Sequence, residues 1–225
     1  MKTTLVVDIG NCHFGDFKKA SEMIRIAVEC GADLIKGQAF KPEDISGSMP
    51  KRFYEKCAFS LEQYCELIDI ARYYGSDMFY SIFSTGFADI KAKQNYMKIT
   101  ASQSKILSEE AIEYIGLDRE DVIVSCKDIP SYPWRNATVL WATEYLQQEI
   151  NIDNLMIWRG LFKKFGYSDH TIGNRNCIAA ANLGATIIET HFTLKKEVHF
   201  AGIKFRDTIF GCNPIELENL AKAIK

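Results

Sequence analysis

The sequence predicts an α/β chain closed into a single compact (β/α)8 TIM barrel. Three observations carry that expectation: eight short β-branched or apolar runs alternate with longer stretches of helical period, glycines stop those stretches, and the ends of the runs are polar. The runs are residues 5–9, 34–39, 78–83, 96–100, 122–126, 139–143, 165–168 and 187–192. Between the first two, Ala20, Met23, Ile24, Ala27 and Val28 recur at helical spacing over 17–30, and Gly31 follows where a C-terminal cap residue belongs. The same pattern predicts helices over 61–74 before Gly75, 108–115 before Gly116, 174–183 before Gly184, and 214–224. Residues 127–138 hold Pro130 and Pro133 and are too few for a full helix, so the helix after strand five is expected to be reduced or missing. A doubly wound open sheet is the alternative. Against it, no G-x-G-x-x-G follows the first run; Gly10 and Gly15 flank Cys12-His13-Phe14 instead.

Length and composition fit one domain over residues 1–225: 47% of the residues are apolar and 25% charged, and no low-complexity linker divides the chain. With 27 basic against 29 acidic residues the net charge is -2, which gives no electrostatic footprint for nucleic acid or an anionic membrane. No apolar run approaches the roughly 18 residues needed to cross a bilayer, and Asp8 interrupts what would be a signal peptide's apolar region. The seven cysteines are odd in number and show no C-x-x-C spacing. Reduced thiols and a cytoplasmic location are therefore expected.

In a barrel of this kind the chemistry gathers where the strands end. Those ends carry Asp8 and His13, Lys36 and Gln38, Ser81 and Ser84, Lys98, Thr100 and Ser102, Ser125, Thr143 and Glu144, Ser168 to His170, and Glu189 with His191. Two histidines on neighbouring strands, His170 and His191, can supply imidazole ligands to one side of a divalent metal; the plainer reading has them buried and bonded to Asp169 and Glu189. His199, in the polar stretch beyond the last strand, reads as a surface residue. Lys36 and Lys98 sit inside apolar strands, where an unpaired ammonium is costly, so each needs an anionic partner. A carboxylate such as Asp33 or Asp8 would serve, and so would a bound dianion held jointly with Ser81, Ser125 and Ser168.

Gly166-Tyr167-Ser168-Asp169-His170-Thr171 with Gly173, followed by the run from Leu183-Gly184-Ala185 through Glu189-Thr190-His191-Phe192-Thr193-Leu194, resembles the hallmark of the N-acetylneuraminate (sialic acid) synthase family. Asp8-Ile9-Gly10 with His13, Gly15 and Asp16 is similar to that family's first strand, Gly31-Ala32-Asp33 with Lys36-Gly37-Gln38 to its second, and Lys98-Ile99 to its fourth. The resemblance runs from about Val6 to Leu194 and is thinnest over 127–164. It implies a (β/α)8 barrel that condenses phosphoenolpyruvate with an N-acylated aminosugar aldehyde, using manganese or magnesium. Carried over by position, it implies that His170 and His191 bind the metal, that Lys36, Gln38, Ser81, Lys98, Ser125 and Ser168 hold phosphoenolpyruvate, and that Asp8 serves with the histidines in catalysis.

Several positions depart from the family pattern. Asp8 stands where the family has glutamate, one methylene or roughly 1.5 Å shorter. Cys12 and Phe14 replace two asparagines, Thr100-Ala101-Ser102-Gln103 replaces a run containing serine and glutamate, and Glu144 brings a negative charge near the expected phosphate. The family's synthases also carry a C-terminal antifreeze-like domain that contributes an arginine across a dimer, and the sequence to Lys225 shows none. Sugar recognition is expected to differ, to be absent, or to come from a homodimer or another protein. Two further readings stand beside the synthase: a weakened barrel acting as an anion-binding or assembly subunit, and a metal-dependent aldolase or lyase.

Overall fold

The computed structural model describes residues 3–45, 49–84, 86–105, 107–143 and 150–225. Eight parallel strands close in sequential order: β1 (Thr4–Gly10), β2 (Leu34–Ala39), β3 (Asp77–Ile82), β4 (Met97–Ile99), β5 (Val122–Cys126), β6 (Thr138–Ala142), β7 (Phe165–Asp169) and β8 (Ile187–His191), with β1 bonded to β8. The expected barrel is present. Helices α1 (Phe17–Glu29), α2 (Lys51–Cys57), α3 (Leu61–Tyr73), α4 (Ala88–Lys93), α5 (Ala101–Ser104), α6 (Glu109–Ile115), α7 (Ile152–Leu161), α8 (Arg175–Asn182), α9 (Asp207–Phe210) and α10 (Pro214–Ile224) lie outside it. Residues 127–137, after β5, form no helix, as their prolines predict.

Local chemistry sets the boundaries. Asp16 caps α1 by accepting from Lys19 N, and Ser60 with Gln63 forms a capping box at the start of α3. Gly116 ends α6 in the left-handed conformation, at φ +65°. The helix α7 is absent from the periodicity reading because apolar residues stand on nearly all its faces, which hides the amphipathic stripe. The short helices α2, α4, α5 and α9 are too brief to show a period. A small antiparallel hairpin, β9 (His199–Phe200) with β10 (Ile203–Lys204), also escaped that reading, and His199 is exposed on it.

Two-residue alternation along each strand sorts the barrel interior into layers. Val6, Leu34, Phe79, Ile123, Leu140 and Ile187 form a separate apolar cluster, with Tyr96 packed against it. One inward step later stand Asp8, Lys36, Ser81, Lys98, Ser125, Ser168 and Glu189, all buried. Gly166 occupies the apolar layer's place on β7, where an added Cβ would lie 2.3 Å from Leu140 Cδ2 and 2.8 Å from the Ile187 carbonyl oxygen. The barrel is thus plugged below and polar above. The larger core, between strands and helices, includes Met23, Phe53, Tyr64, Trp158 and Leu217.

Candidate active site

Above the plug a cavity of about 760 Å³ opens at the carboxyl ends of the strands. Asp8, Lys36, Gln38, Ser81, Lys98, Ser125, Ser168, His170 and His191, the nine residues singled out from the sequence, all line it. So do Asn11, Glu189 and Asp207, which that reading did not count among the site residues. Glu189 carried a usable signal, since it stands two residues before His191 on one strand and so shares its inward face. Asp207 carried none: it lies on the four-residue α9, beyond the β9–β10 hairpin.

A buried chain of charges forms the floor. Lys36 Nζ is 2.7 Å from Asp8 Oδ2 and 3.0 Å from Glu189 Oε1; Lys98 Nζ is 2.8 Å from Glu189 Oε2 and donates to Ser125 Oγ at 2.8 Å. Ser168 Oγ donates to Glu189 Oε1 at 3.0 Å. Of the partners considered for the lysines, Asp8 is one, and Glu189 serves both. Asp33 is not one, because it faces the outside of the barrel, accepting from Leu5 N with Lys225 Nζ at 3.0 Å. Burial opposes the charge on Lys36, yet the Asp8 and Glu189 carboxylates outweigh it and raise its pKa. For Lys98 burial dominates, and with Lys36 it outweighs the attraction of Glu189, bringing the pKa down to about 8. Burial would raise Glu189, but the two ammonium groups hold it well below the usual carboxylate range.

The other end of the cavity gathers imidazoles and carboxylates. The rings of His170 and His191 lie 5.4 Å apart, and Phe210 meets both edge-on. His170 Nδ1 is 3.0 Å from the Thr143 carbonyl, which can only accept, so Nδ1 carries the hydrogen and Nε2 is the basic nitrogen. Burial, reinforced by His191, lowers its pKa to about 3 and keeps the ring neutral. His191 Nε2 is 3.8 Å from Asp8 Oδ2, and its Nδ1 is 3.8 Å from Asp207 Oδ2, whose pKa burial raises. Among the described residues, His191 Nδ1, Ser81 Oγ and Asn11 Oδ1 are buried without a hydrogen-bond partner, as is Asp8 Oδ2 apart from its ion pair with Lys36. Gly10 makes room here: at φ +46°, its Cβ would sit 3.2 Å from Asp207 Oδ2.

Two imidazoles beside carboxylates suit a divalent cation, and the orphaned His191 nitrogen supports that fit. Among the described residues no group of three or more His, Cys, Asp or Glu side chains comes together as a ready-made metal cluster. His170 and His191 could together offer two nitrogen donors to such a cation.

Other expectations are revised. His13 stacks on Phe59 at 4.5 Å between ring centroids and accepts from Gly15 N, so it serves the β1–α1 turn. Gln103 lines the cavity, but its amide bonds Thr100 N and the Ile82 carbonyl, fixing α5 instead of offering itself to a ligand. Asp169, beneath His170, accepts from Tyr167, Thr171 and Cys177. All seven cysteines are free thiols. Glu144 lies outside the described residues. Among those described, no helix is long and apolar enough to cross a membrane.

Comparison with known proteins accords with this layout. A family profile described as the NeuB family matches residues 142–225. The chain is 28% identical to N,N'-diacetyllegionaminic acid synthase of Campylobacter jejuni, over 88% of this chain and 69% of that protein. It is 26% identical to pseudaminic acid synthase of Helicobacter pylori, over 98% and 73%. The fold is similar to the crystal structure of N-acetylneuraminic acid (sialic acid) synthetase from Leptospira borgpetersenii, with a TM-score of 0.80 and 21% identity over all of this chain and 83% of that one. The profile match covers the C-terminal part of the chain and the relatives align along most of its length, so the chain is similar to the NeuB family and to its sialic acid-type synthases.

Proposed function

We propose that the chain condenses phosphoenolpyruvate with an aldose of the N-acylated aminosugar type, forming a 2-keto-3-deoxy sugar acid and releasing phosphate. The observation that carries this reading is the division of one cavity into two halves: the Lys36, Lys98, Ser81, Ser125 and Ser168 donors on one side, and the His170, His191, Asp8 and Asp207 group on the other. The donors suit the phosphate and carboxylate of phosphoenolpyruvate, with charge-assisted contacts from the lysines. Gln38, which accepts from Asn11 Nδ2 at 3.0 Å, stands beside both halves and orients the substrate. His170 and His191 would hold Mn2+ or Mg2+, which when bound polarises the aldehyde carbonyl and acidifies a water. Asp8, between Lys36 and His191, would serve as the base that accepts a proton from the water added to the substrate.

The floor is internally neutral, since two lysines face Asp8 and Glu189. A polyanionic ligand thus has to displace these pairings or arrive with a cation. The departures from the family pattern at Asp8, Ala101 and Gln103 motivate, as second reading, an anion-binding barrel that has lost turnover. The separating experiment supplies the purified chain with Mn2+, phosphoenolpyruvate and a panel of aldoses and measures inorganic phosphate. Release that depends on one class of aldose is expected; binding of phosphoenolpyruvate without release across the panel would favour the second reading.

A further inference from the structure

We propose that Asn11, held by Gln38, reads the N-acylamino group of the aldose, a step that rests on the synthase reading of this cavity. Ser81 Oγ and His191 Nδ1, two of the buried atoms without a hydrogen-bond partner, stand among the anion donors and at the imidazole end. Asn11 Oδ1 serves neither half. A carboxamide oxygen can only accept, so it has nothing to give a phosphate or a carboxylate. The Asn11 side chain is 4% exposed and lines the cavity, so its orphaned oxygen costs free energy until something in the cavity donates to it.

Local structure holds the group still. Asn11 lies in a tight turn after β1, where Cys12 N donates to the Ile9 carbonyl and Phe14 N to that of Asn11. Its Nδ2 donates to Gln38 Oε1 at 3.0 Å. One bond between two carboxamides engages a donor of the first and the oxygen of the second. What remains for a ligand is an oxygen on Asn11 and the Nε2 hydrogens of Gln38. Turning both amides over exchanges the roles and leaves the same offer. An acceptor beside a donor complements a secondary amide, the small neutral group that carries both an N–H and a C=O. The neighbouring wall suits the rest of an acyl group: Ile45, Tyr54 and Phe40 line the same cavity, with Phe40 just past β2, two residues from Gln38, and edge-on to Tyr54 at 6.0 Å between ring centroids. Position agrees as well. Asn11 follows Gly10, whose Cβ would lie 3.6 Å from His191 Nδ1, so the amide pair adjoins the imidazole end of the cavity. In a 2-acylamino aldose the nitrogen is on the carbon next to the aldehyde.

The test is calorimetric titration of the intact chain, with Mn2+ present, by N-acetylmannosamine, N-acetylglucosamine and 2-deoxyglucose, the last being the counterpart of both without the amide. At least one acetamido sugar is expected to bind about tenfold or more tighter than 2-deoxyglucose. Asn11→Leu, which keeps the branched shape and removes the acceptor, should reduce that ratio to about threefold or less while leaving Mn2+ binding unchanged. Gln38→Glu keeps an acceptor for Asn11 Nδ2 and removes the second donor, so it should lower the ratio too, and from a partly exposed position that tolerates the change. No preference in the native chain, a preference that survives in Asn11→Leu, or Mn2+ binding lost with Asn11 would each overturn the proposal. Phosphate release decides the synthase reading separately: a preference lost in Asn11→Leu, without release from phosphoenolpyruvate, would keep the amide subsite and remove the condensation.

Discussion

A lysine at the end of β4 has to keep its charge inside a barrel, and that requirement makes Lys98 the most informative single residue. Its ammonium is buried, and burial brings its pKa down to about 8, although Glu189 lies 2.8 Å away. Below that pH the group is charged and can bind an anion; above it the charged fraction falls about tenfold per unit. Phosphoenolpyruvate affinity measured by calorimetry should therefore be level near pH 7 and decline as pH rises through about 8, and in Lys98→Ala it should be weaker by about 1.5–3 kcal/mol with the decline removed. An identical pH profile in the variant would return Lys98 to a structural role. The histidines give an independent outcome: His170→Ala with His191→Ala should abolish Mn2+ binding in the same instrument, and retained binding would move the metal elsewhere. These residues were legible because strands confine a buried polar group to a few positions, and a charge in an apolar run announces a partner. The partner's identity was not legible. Glu189 is 153 residues from Lys36 in sequence, and only the closure of β8 onto β1 brings it there. Asp207 was hidden for a related reason, since its place depends on a hairpin and a single helical turn.

Alternation along a strand, two residues per repeat, turns sequence into layers with little ambiguity. Leu34, Lys36 and Gln38 on β2, or Ile187, Glu189 and His191 on β8, step from plug to charged floor to cavity wall. The strands were accordingly placed to within a residue or two. Gly166 is the exception in the plug layer, and it shows how tightly the layer is filled. Gly166→Ala should destabilise the protein by about 1–3 kcal/mol, because the new methyl would meet both Leu140 Cδ2 and the Ile187 carbonyl oxygen. Only the first of these can move aside. Leu140→Val on the Gly166→Ala background should recover part of the loss in urea unfolding, and strictly additive effects would show that the plug has slack. Helices were less legible than strands wherever the stripe was missing. On α7 apolar residues stand on nearly all faces, and α2, α4, α5 and α9 make too few turns to show a period.

Closing eight strands brings charges from distant parts of the chain into one buried set, and the cost of that arrangement belongs to the whole molecule. Asp8 on β1, Lys36 on β2, Lys98 on β4 and Glu189 on β8 neutralise one another only when the barrel is shut. Removing one partner from such a set leaves an uncompensated ion in a medium that solvates it poorly. Glu189→Gln keeps the shape and some hydrogen bonding but leaves Lys98 without a carboxylate and Lys36 with Asp8 alone. A loss of about 3–5 kcal/mol in urea unfolding at neutral pH is expected. The pH dependence fixes the cause. Glu189 titrates well below its unfolded value when folded, so its contribution is fully present above the ordinary glutamate range and is lost as pH falls through the folded pKa. Native protein should accordingly lose stability on acidification below about pH 4.5, and the difference between native and Glu189→Gln protein should shrink over the same interval. A difference that stayed constant with pH would mean that the glutamate holds the barrel by packing and hydrogen bonding, with its charge contributing nothing.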